Sequence, residues 1–204
     1  WHPLAGFGWL AQRVEAFGYG PPELNPTVRR GRGVGAVMVL LVPFILTAWL
    51  LAAIPLLGLA VALGLLYLAI GARSLAEHAE AVAAALQAGD LPLAREKVAM
   101  IVSRDTADLD EEQISRATVE SVLENGCDAI FGALFWFVLG GAAGAVLYRL
   151  ANTLDAMWGY RTPRYRDFGW AAARLDDALN WLPARLTALS YMAVGTKPAL
   201  AWGC

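Results

Sequence analysis

The sequence predicts an all-α, polytopic integral membrane protein, and three observations carry that prediction. The 204-residue chain is 58% hydrophobic and only 17% charged, where soluble domains carry about a quarter charged residues, and its mean hydropathy is +0.48. Residues 33–72 hold no charged side chain at all. A second uncharged stretch occupies residues 129–148, interrupted by Gly140, Gly141 and Gly144. The charges that remain nearly balance, 16 basic against 18 acidic for a net −2, which gives no electrostatic footprint for nucleic acid. Cys127 and Cys204 cannot build a disulfide framework, and His2 and His78 are too few for a multi-histidine metal centre.

The elements follow in order. Leu4, Phe7, Leu10, Val14 and Phe17 recur at helical spacing, with Gln12, Arg13 and Glu15 elsewhere, which predicts an amphipathic helix lying on the membrane surface. Pro21, Pro22 and Pro26 end it. The uncharged run 33–72 is too long for one crossing, since a helix of that length reaches ~60 Å against a hydrocarbon thickness of ~30 Å. Ile54-Pro55 and Gly58 offer a break, so a transmembrane hairpin is expected over 34–53 and 56–71. Arg29, Arg30 and Arg32 on one flank and Arg73 on the other place both ends in the cytoplasm.

Residues 73–128 form a charged cytoplasmic helical loop. Leu75, Ala79, Val82 and Leu86 mark one amphipathic helix ending at Gly89, and Asp90 with Pro92 opens a second. Asp110 with Gln113 fits a capping box for a third. His78 sits at the edge of the first helix's apolar stripe and reads as a packing residue. The apolar stretch 129–148 is long enough to cross once, but the arginines at 149, 161, 164, 166 and 174 behind it would then lie outside. A re-entrant hairpin bent at the glycine pair keeps both flanks cytoplasmic, with a single crossing as the alternative. The last apolar stretch, 178–194, contains Pro183 and Arg185.

Three polar groups carry candidate chemistry. Glu120, Glu124 and Asp128 stack at i, i+4 and i+8 on one helical face, with Arg116 a turn earlier. Like charges at that spacing repel, so either a cation such as Mg²⁺ or arginine pairing should neutralise them. The second group is Asn152, Asp155, Tyr160, Arg161, Arg164, Arg166 and Asp167, and the third is Arg174, Asp176, Asp177, Asn180 and Arg185. Ionisable residues beside membrane helices are costly and suggest a functional site. No phosphate-binding glycine loop of the G-x-x-x-x-G-K-[ST] kind and no G-x-S-x-G is present.

Several short motifs occur together in register. They are Ile101-Val102-Ser103-Arg104-Asp105-Thr106, Val119-Glu120-Ser121 with Glu124-Asn125, Leu134-Phe135-Trp136, and Asn152-Thr153-Leu154-Asp155 with Gly159-Tyr160. A further run leads from Phe168-Gly169 through Asp176-Asp177 to Pro183-Ala184-Arg185-Leu186-Thr187. Jointly they resemble the adenosylcobinamide-phosphate synthases, integral membrane enzymes of cobalamin biosynthesis, and His2-Pro3 fits that family's early His-Pro. Ser103, Ala129 and Ala133 depart from the pattern. The chain is expected to be the middle of such an enzyme, a single membrane-embedded domain over 1–204 without the family's terminal segments. Within it lie the hairpin at 33–72, the loop at 73–128 and a membrane-proximal catalytic region at 129–204.

The resemblance implies an ATP-dependent amide ligation of adenosylcobyric acid to aminopropanol phosphate, or to ethanolamine phosphate. It implies Mg²⁺ and a corrinoid substrate, at an active site facing the cytoplasm from a multi-pass inner membrane position. Other cobalamin-assembly membrane enzymes and a second copy of the chain are expected partners, with the bilayer as surroundings. Glu120, Glu124 and Asp155 are the catalytic candidates, and Asp105, Glu120, Glu124 and Asp128 the metal candidates. Arg104, Asn125, Asn152, Tyr160, Arg161, Asp176, Asp177, Asn180 and Arg185 are the substrate-binding candidates. Trp136, Trp158, Trp170 and Trp181 either face the corrin or belong to an interfacial belt. A non-catalytic regulator of the same superfamily, of the β-lactamase-induction type, and a small-solute transporter are the alternatives.

Overall fold

The computed structural model describes residues 3–21, 23–102 and 104–194, with the side chains of Ala72, Arg73, Ser74 and Val194 outside that description. His2, Pro22, Ser103 and Cys204, singled out above, lie outside the described residues, as does the side chain of Arg73. The described residues form helices and no strand. They divide into two compact units, one from the segment ending at Ile70 together with Gly132–Pro183, the other from Gly71–Phe131 together with the segment starting at Ala184.

In the first unit, α1 (Pro3–Gly18) does not lie apart as a surface helix. It runs antiparallel along α2 (Pro26–Ala52), with Phe7 edge-on to Phe44 at 5.5 Å. At the other end the Arg29 guanidinium sits 4.8 Å over the Tyr19 ring and donates to the Pro21 carbonyl at 2.8 Å. The apolar stripe read as facing lipid thus packs on protein: Phe7 and Ala11 are buried with Val37, Leu40 and Leu41 in one core. Phe17 is the exception and stays exposed. Asn25 caps α2 by accepting from the Thr27 amide at 2.8 Å, and Pro26 fills the first helical position, where its missing N–H costs nothing.

With 27 residues α2 reaches about 40 Å, enough to cross a bilayer. The chain turns through Leu56, whose φ is +67°. It returns in α3 (Gly58–Ala69), whose 12 residues span only about 18 Å. The expected hairpin therefore exists, with a return arm shorter than a full crossing. Its outer surface is apolar, as lipid requires: Leu46, Trp49, Leu50, Leu57, Leu59, Leu63 and Tyr67 are all exposed.

Helix α7 (Gly132–Trp158) reads as one long apolar helix by its ends, but it folds back on itself. Gly141 adopts φ +59°, ψ −149°, a conformation open only to glycine. Beyond it the chain reverses so closely that a Cβ at Gly144 would run into the Trp136 carbonyl, and one at Gly132 into the Tyr148 ring. In a straight helix residues 132 and 148 would be ~24 Å apart. The first arm continues from α6 through the π-helical turn, and its uncharged part, residues 129–140, is about 18 Å long, shorter than the hydrocarbon thickness of about 30 Å. The helix thus folds into a hairpin, the backbone shape a re-entrant segment would take, and Ala133, Ala145, Tyr148 and Ala151 pack its two arms with Ala69 and Leu179.

After α7, the short α8 (Tyr165–Phe168) returns to the start of α2, where Asp167 accepts from Arg30 Nε at 3.0 Å. Residue 167 and the arginine flank of α2 therefore share one end of this unit. Helix α9 (Trp170–Val194) follows, with Pro183 inside it.

In the second unit, α4 (Ala72–Gln87), α5 (Leu91–Val98) and α6 (Glu111–Gly126) enclose a core of Val82, Ala85, Ala94, Val98, Ile114 and Ala117. Gly89 at φ +72° ends the first helix, and Asp90 accepts from the Leu93 amide at 3.0 Å to start the second. Asp110 and Gln113 form the full reciprocal capping box, each side chain accepting the other's backbone N–H at 2.8 and 2.9 Å. A single π-helical turn, Cys127–Phe131, ends this stretch.

A buried carboxylate on an interacting pair of helices

The second and third polar groups of the sequence meet between the returning arm of α7 and the start of α9. Tyr148, Asn152 and Asp155 follow one another at helical spacing on one side of α7, and Asp176 and Asn180 do so on α9. The Tyr148 hydroxyl donates to Asn180 Oδ1 at 2.6 Å, and Asn180 Nδ2 donates to Asp176 Oδ2 at 3.0 Å. The Asn152 amide also favours the ionised form of Asp176, while burial opposes it more strongly. Asp176 is 9% exposed, and its Oδ1 is buried with no hydrogen-bond partner. A carboxylate oxygen withdrawn from water without a donor is expensive, so this atom marks a place where a ligand group belongs.

Asp155 lies beyond the apolar stretch, on the polar extension of α7. Burial, then the negative charges of Asp176 and Asp177 on α9, push its carboxyl up to about 6. Burial raises both carboxyls, and a carboxylate poised in this way beside a second one is an arrangement suited to proton transfer. Asp177 itself is exposed and pairs loosely with Arg174 at 3.6 Å. Tyr160 and Arg161, expected beside this group, are exposed on the loop after α7.

The acidic face of α6 is arranged differently. Glu120 gives Oε1 to Arg116 Nε at 2.9 Å and Oε2 to Arg104 Nη2 at 3.2 Å, and Arg116 most of all holds its carboxyl below the usual range. Arginine pairing therefore takes both oxygens of Glu120, and Glu124 projects into the open. Asp105 accepts locally from the Ala107 amide at 3.0 Å. Asn125 donates to the Ser121 carbonyl and hydroxyl, while Ser121 donates to the Ile101 carbonyl at 2.6 Å, which ties α6 to the Ile101 segment. Among the described residues no three of His, Cys, Asp and Glu converge as metal ligands. As arranged, the Glu120 row does not offer a metal three open carboxylates. His78 lines a small open pocket with Glu77, Ala81, Lys97 and Met100, and Arg185 is exposed on α9.

Sequence reading missed two residues near the α7–α9 site. Tyr148 looked like the last apolar position of a membrane segment, and only its partner on another helix reveals the hydroxyl's task. Glu15 looked like the polar face of α1, yet it is buried and accepts from Arg164 Nε and Nη2 at 2.9 and 2.7 Å and from Trp158 Nε1 at 3.2 Å. Arg164 is thereby committed to holding α1 against the end of α7. Trp158 is core and not a corrin-facing surface residue, and Trp136 donates to the Leu179 carbonyl at 3.0 Å, whereas Trp170 and Trp181 are exposed.

Helices without strands among the described residues, two of them long and apolar enough to cross a bilayer, and an apolar outer surface define the class of all-α membrane proteins, here with a half-buried carboxylate pair beyond the apolar stretch of α7. The chain belongs to the family described as CobD/Cbib protein, which it matches over residues 1–204. It is 62% identical over its whole length to a cobalamin biosynthesis protein CobD from Chromobacterium violaceum and covers 66% of that protein. Over 98% of its length it is 56% identical to a protein of the same name from Stutzerimonas stutzeri, covering 65% of it. A Rhodobacter capsulatus relative is 41% identical over 93% of the chain, which covers 60% of that protein. The chain thus spans 60–66% of the length of these three relatives, less than two thirds of each. No solved structure matches it.

The paired state of Glu120 leads to a test. Glu120→Gln should leave the protein inserted and with most of its wild-type turnover, because its arginine partners lie on the exposed loop. A drop in rate on the order of 10³-fold at unchanged stability would instead place the carboxylate at a metal in the reaction centre.

Proposed function

We propose that this chain is part of a cobalamin-biosynthesis enzyme that joins a propionate carboxylate of adenosylcobyric acid to the amine of aminopropanol phosphate or ethanolamine phosphate. The relatives' shared name supports the pathway. The observation that carries the reaction is the Asp155–Asp176 pair, because amide formation requires an ammonium to be bound and then deprotonated by a base whose carboxyl titrates near neutrality. ATP would activate the carboxylate as an acyl phosphate, with Mg²⁺ arriving on the nucleotide and neutralising its phosphates. This chain's part is to supply guanidinium groups for those phosphates, for which Arg104, Arg161 and Arg185 are the candidates, and to keep the amine site shielded from water.

The deciding experiment supplies the full-length protein, in membranes, with adenosylcobyric acid, ATP and each amino alcohol phosphate. Formation of adenosylcobinamide phosphate with ADP release supports the reading, and a folded, inserted protein that makes neither would overturn it. We place the protein in the inner membrane with this site on the cytoplasmic side. Single cysteines at Glu23 and Thr162, both exposed and at the Arg30–Asp167 end of the first unit, should then label from the cytoplasm. Labelling of the Thr162 position from the periplasm would replace the re-entrant hairpin by a simple crossing.

A further inference from the structure

The family reading leaves open which part of which substrate the carboxylates between α7 and α9 receive. Asp176 is more than nine-tenths buried, one of its oxygens is spent on Asn180, and the other is open and shut away from water. The Asn180 amide is itself held in place by the Tyr148 hydroxyl, and Tyr148 is wedged against Gly132 at the base of the hairpin. The open oxygen is therefore fixed in position by a chain of contacts and does not swing freely. Asp155 follows Tyr148 and Asn152 at helical spacing along the side of α7 that meets α9, and its charge opposes that of Asp176.

We propose that this pair is the seat of the amine substrate's ammonium group, with Asp176 Oδ1 accepting one of its N–H bonds and Asp155 taking the proton that must leave. A primary ammonium suits the place. It brings one positive charge and three donors, and the site offers Asp176 Oδ1, a buried carboxylate oxygen without a donor, with the Asp155 carboxylate on the facing helix. A divalent ion suits it less, because among the described residues no third carboxylate, histidine or cysteine joins the two. The proton transfer balances simply: one N–H bond of the ammonium breaks, an O–H bond forms on Asp155, and the amine keeps the freed electron pair for attack on the activated carboxyl carbon. The identity of the amine as an amino alcohol phosphate rests on the ligation reading above; the ammonium site itself does not.

The test measures binding of defined probes to the full-length protein in lipid nanodiscs, without ATP or corrinoid. The probes are ethanolamine phosphate, phosphocholine, which keeps the charge and phosphate but has no N–H donor, and 2-hydroxyethyl phosphate, which lacks the amine. Ethanolamine phosphate should bind at least 10-fold more tightly than phosphocholine. Asp176→Asn should remove that preference while leaving 2-hydroxyethyl phosphate binding unchanged, and Asp176→Glu should restore part of it. In turnover, Asp176→Asn should chiefly raise KM for the amine, and Asp155→Asn should chiefly lower kcat. Equal loss of all three probes in a stably folded Asp176→Asn protein, or unchanged ethanolamine phosphate affinity, would overturn the proposal. So would Mn²⁺ binding that depends on Asp176 while amine binding does not. A protein that binds ethanolamine phosphate through Asp176 yet forms no amide would sink the ligation reading and leave this one standing.

Discussion

The Asp155→Asn protein will be more stable than the wild type when no substrate is bound, and it will have lost most of its activity. Asp155 holds its proton more tightly folded than unfolded, with its carboxyl at about 6 against an ordinary 3.8. Between those two values the folded state carries the extra proton, so stability falls as pH rises through the window from about 4 to 6, and the deficit is complete above it. The shift would correspond to roughly 3 kcal/mol at full burial, but Asp155 is partly exposed, and solvent screening reduces this to about 1–2 kcal/mol. The groups responsible beyond burial are Asp176 and Asp177 of α9. A neutral amide at 155 removes the repulsion, so melting at pH 7.5 should rise by several degrees, and the gain should shrink at pH 5. Loss of a base from the reaction typically costs 10²–10⁴-fold in rate. If stability at pH 7.5 falls instead, the carboxylate is a structural acceptor, and its role in proton transfer goes with it.

Gly144→Ala will cost about 2–4 kcal/mol of stability, a large effect for one methyl group on a helix. The new Cβ would meet the backbone carbonyl of Trp136, and backbone, unlike a flexible side chain, has nowhere to move without opening the hairpin. Gly140→Ala is the matched control: it adds the same methyl group in the same turn region, where nothing stands within contact distance. The control should stay close to wild type in denaturant titrations in detergent. If both variants unfold alike, the arms of α7 are not closely packed, and the fold-back loses its support.

What the sequence revealed, and what it hid, divides along the range of the interactions. The capping box of Asp110 and Gln113, the Asp90 cap and the amphipathic helices of the loop are written within a few residues, and pattern reading found them. The glycine pair at 140–141 announced a bend, and Gly141 takes a backbone conformation that only glycine tolerates. The lie of α1 was hidden, because a stripe of Leu, Phe and Val looks the same whether it meets lipid or α2. Glu15 was hidden for a related reason: its partner stands 149 residues later. At the site, Asp155, Asp176 and Asn180 were visible as polar residues flanking apolar helices, and the motif pattern added weight to them. Tyr148 had no signal of its own, since its role exists only once α7 and α9 are side by side. Of the acidic row on α6, the geometry pairs Glu120 with Arg104 and Arg116, one of the two ways of neutralising charge that the spacing left open.

The long separation between Glu15 and Arg164 also sets a schedule for biogenesis. A ribosome adding ~5–20 residues per second needs on the order of 10 s to reach the arginine after the carboxylate has emerged. During that interval α1 and α2 are already made, and Glu15 has neither Trp158 nor Arg164 to receive its charge. Burying it early would strand a carboxylate in an apolar setting. The first helix should therefore wait at the water boundary and lock beside α2 only when the last third of the chain arrives, so translation that stops before residue 164 should leave α1 open to protease.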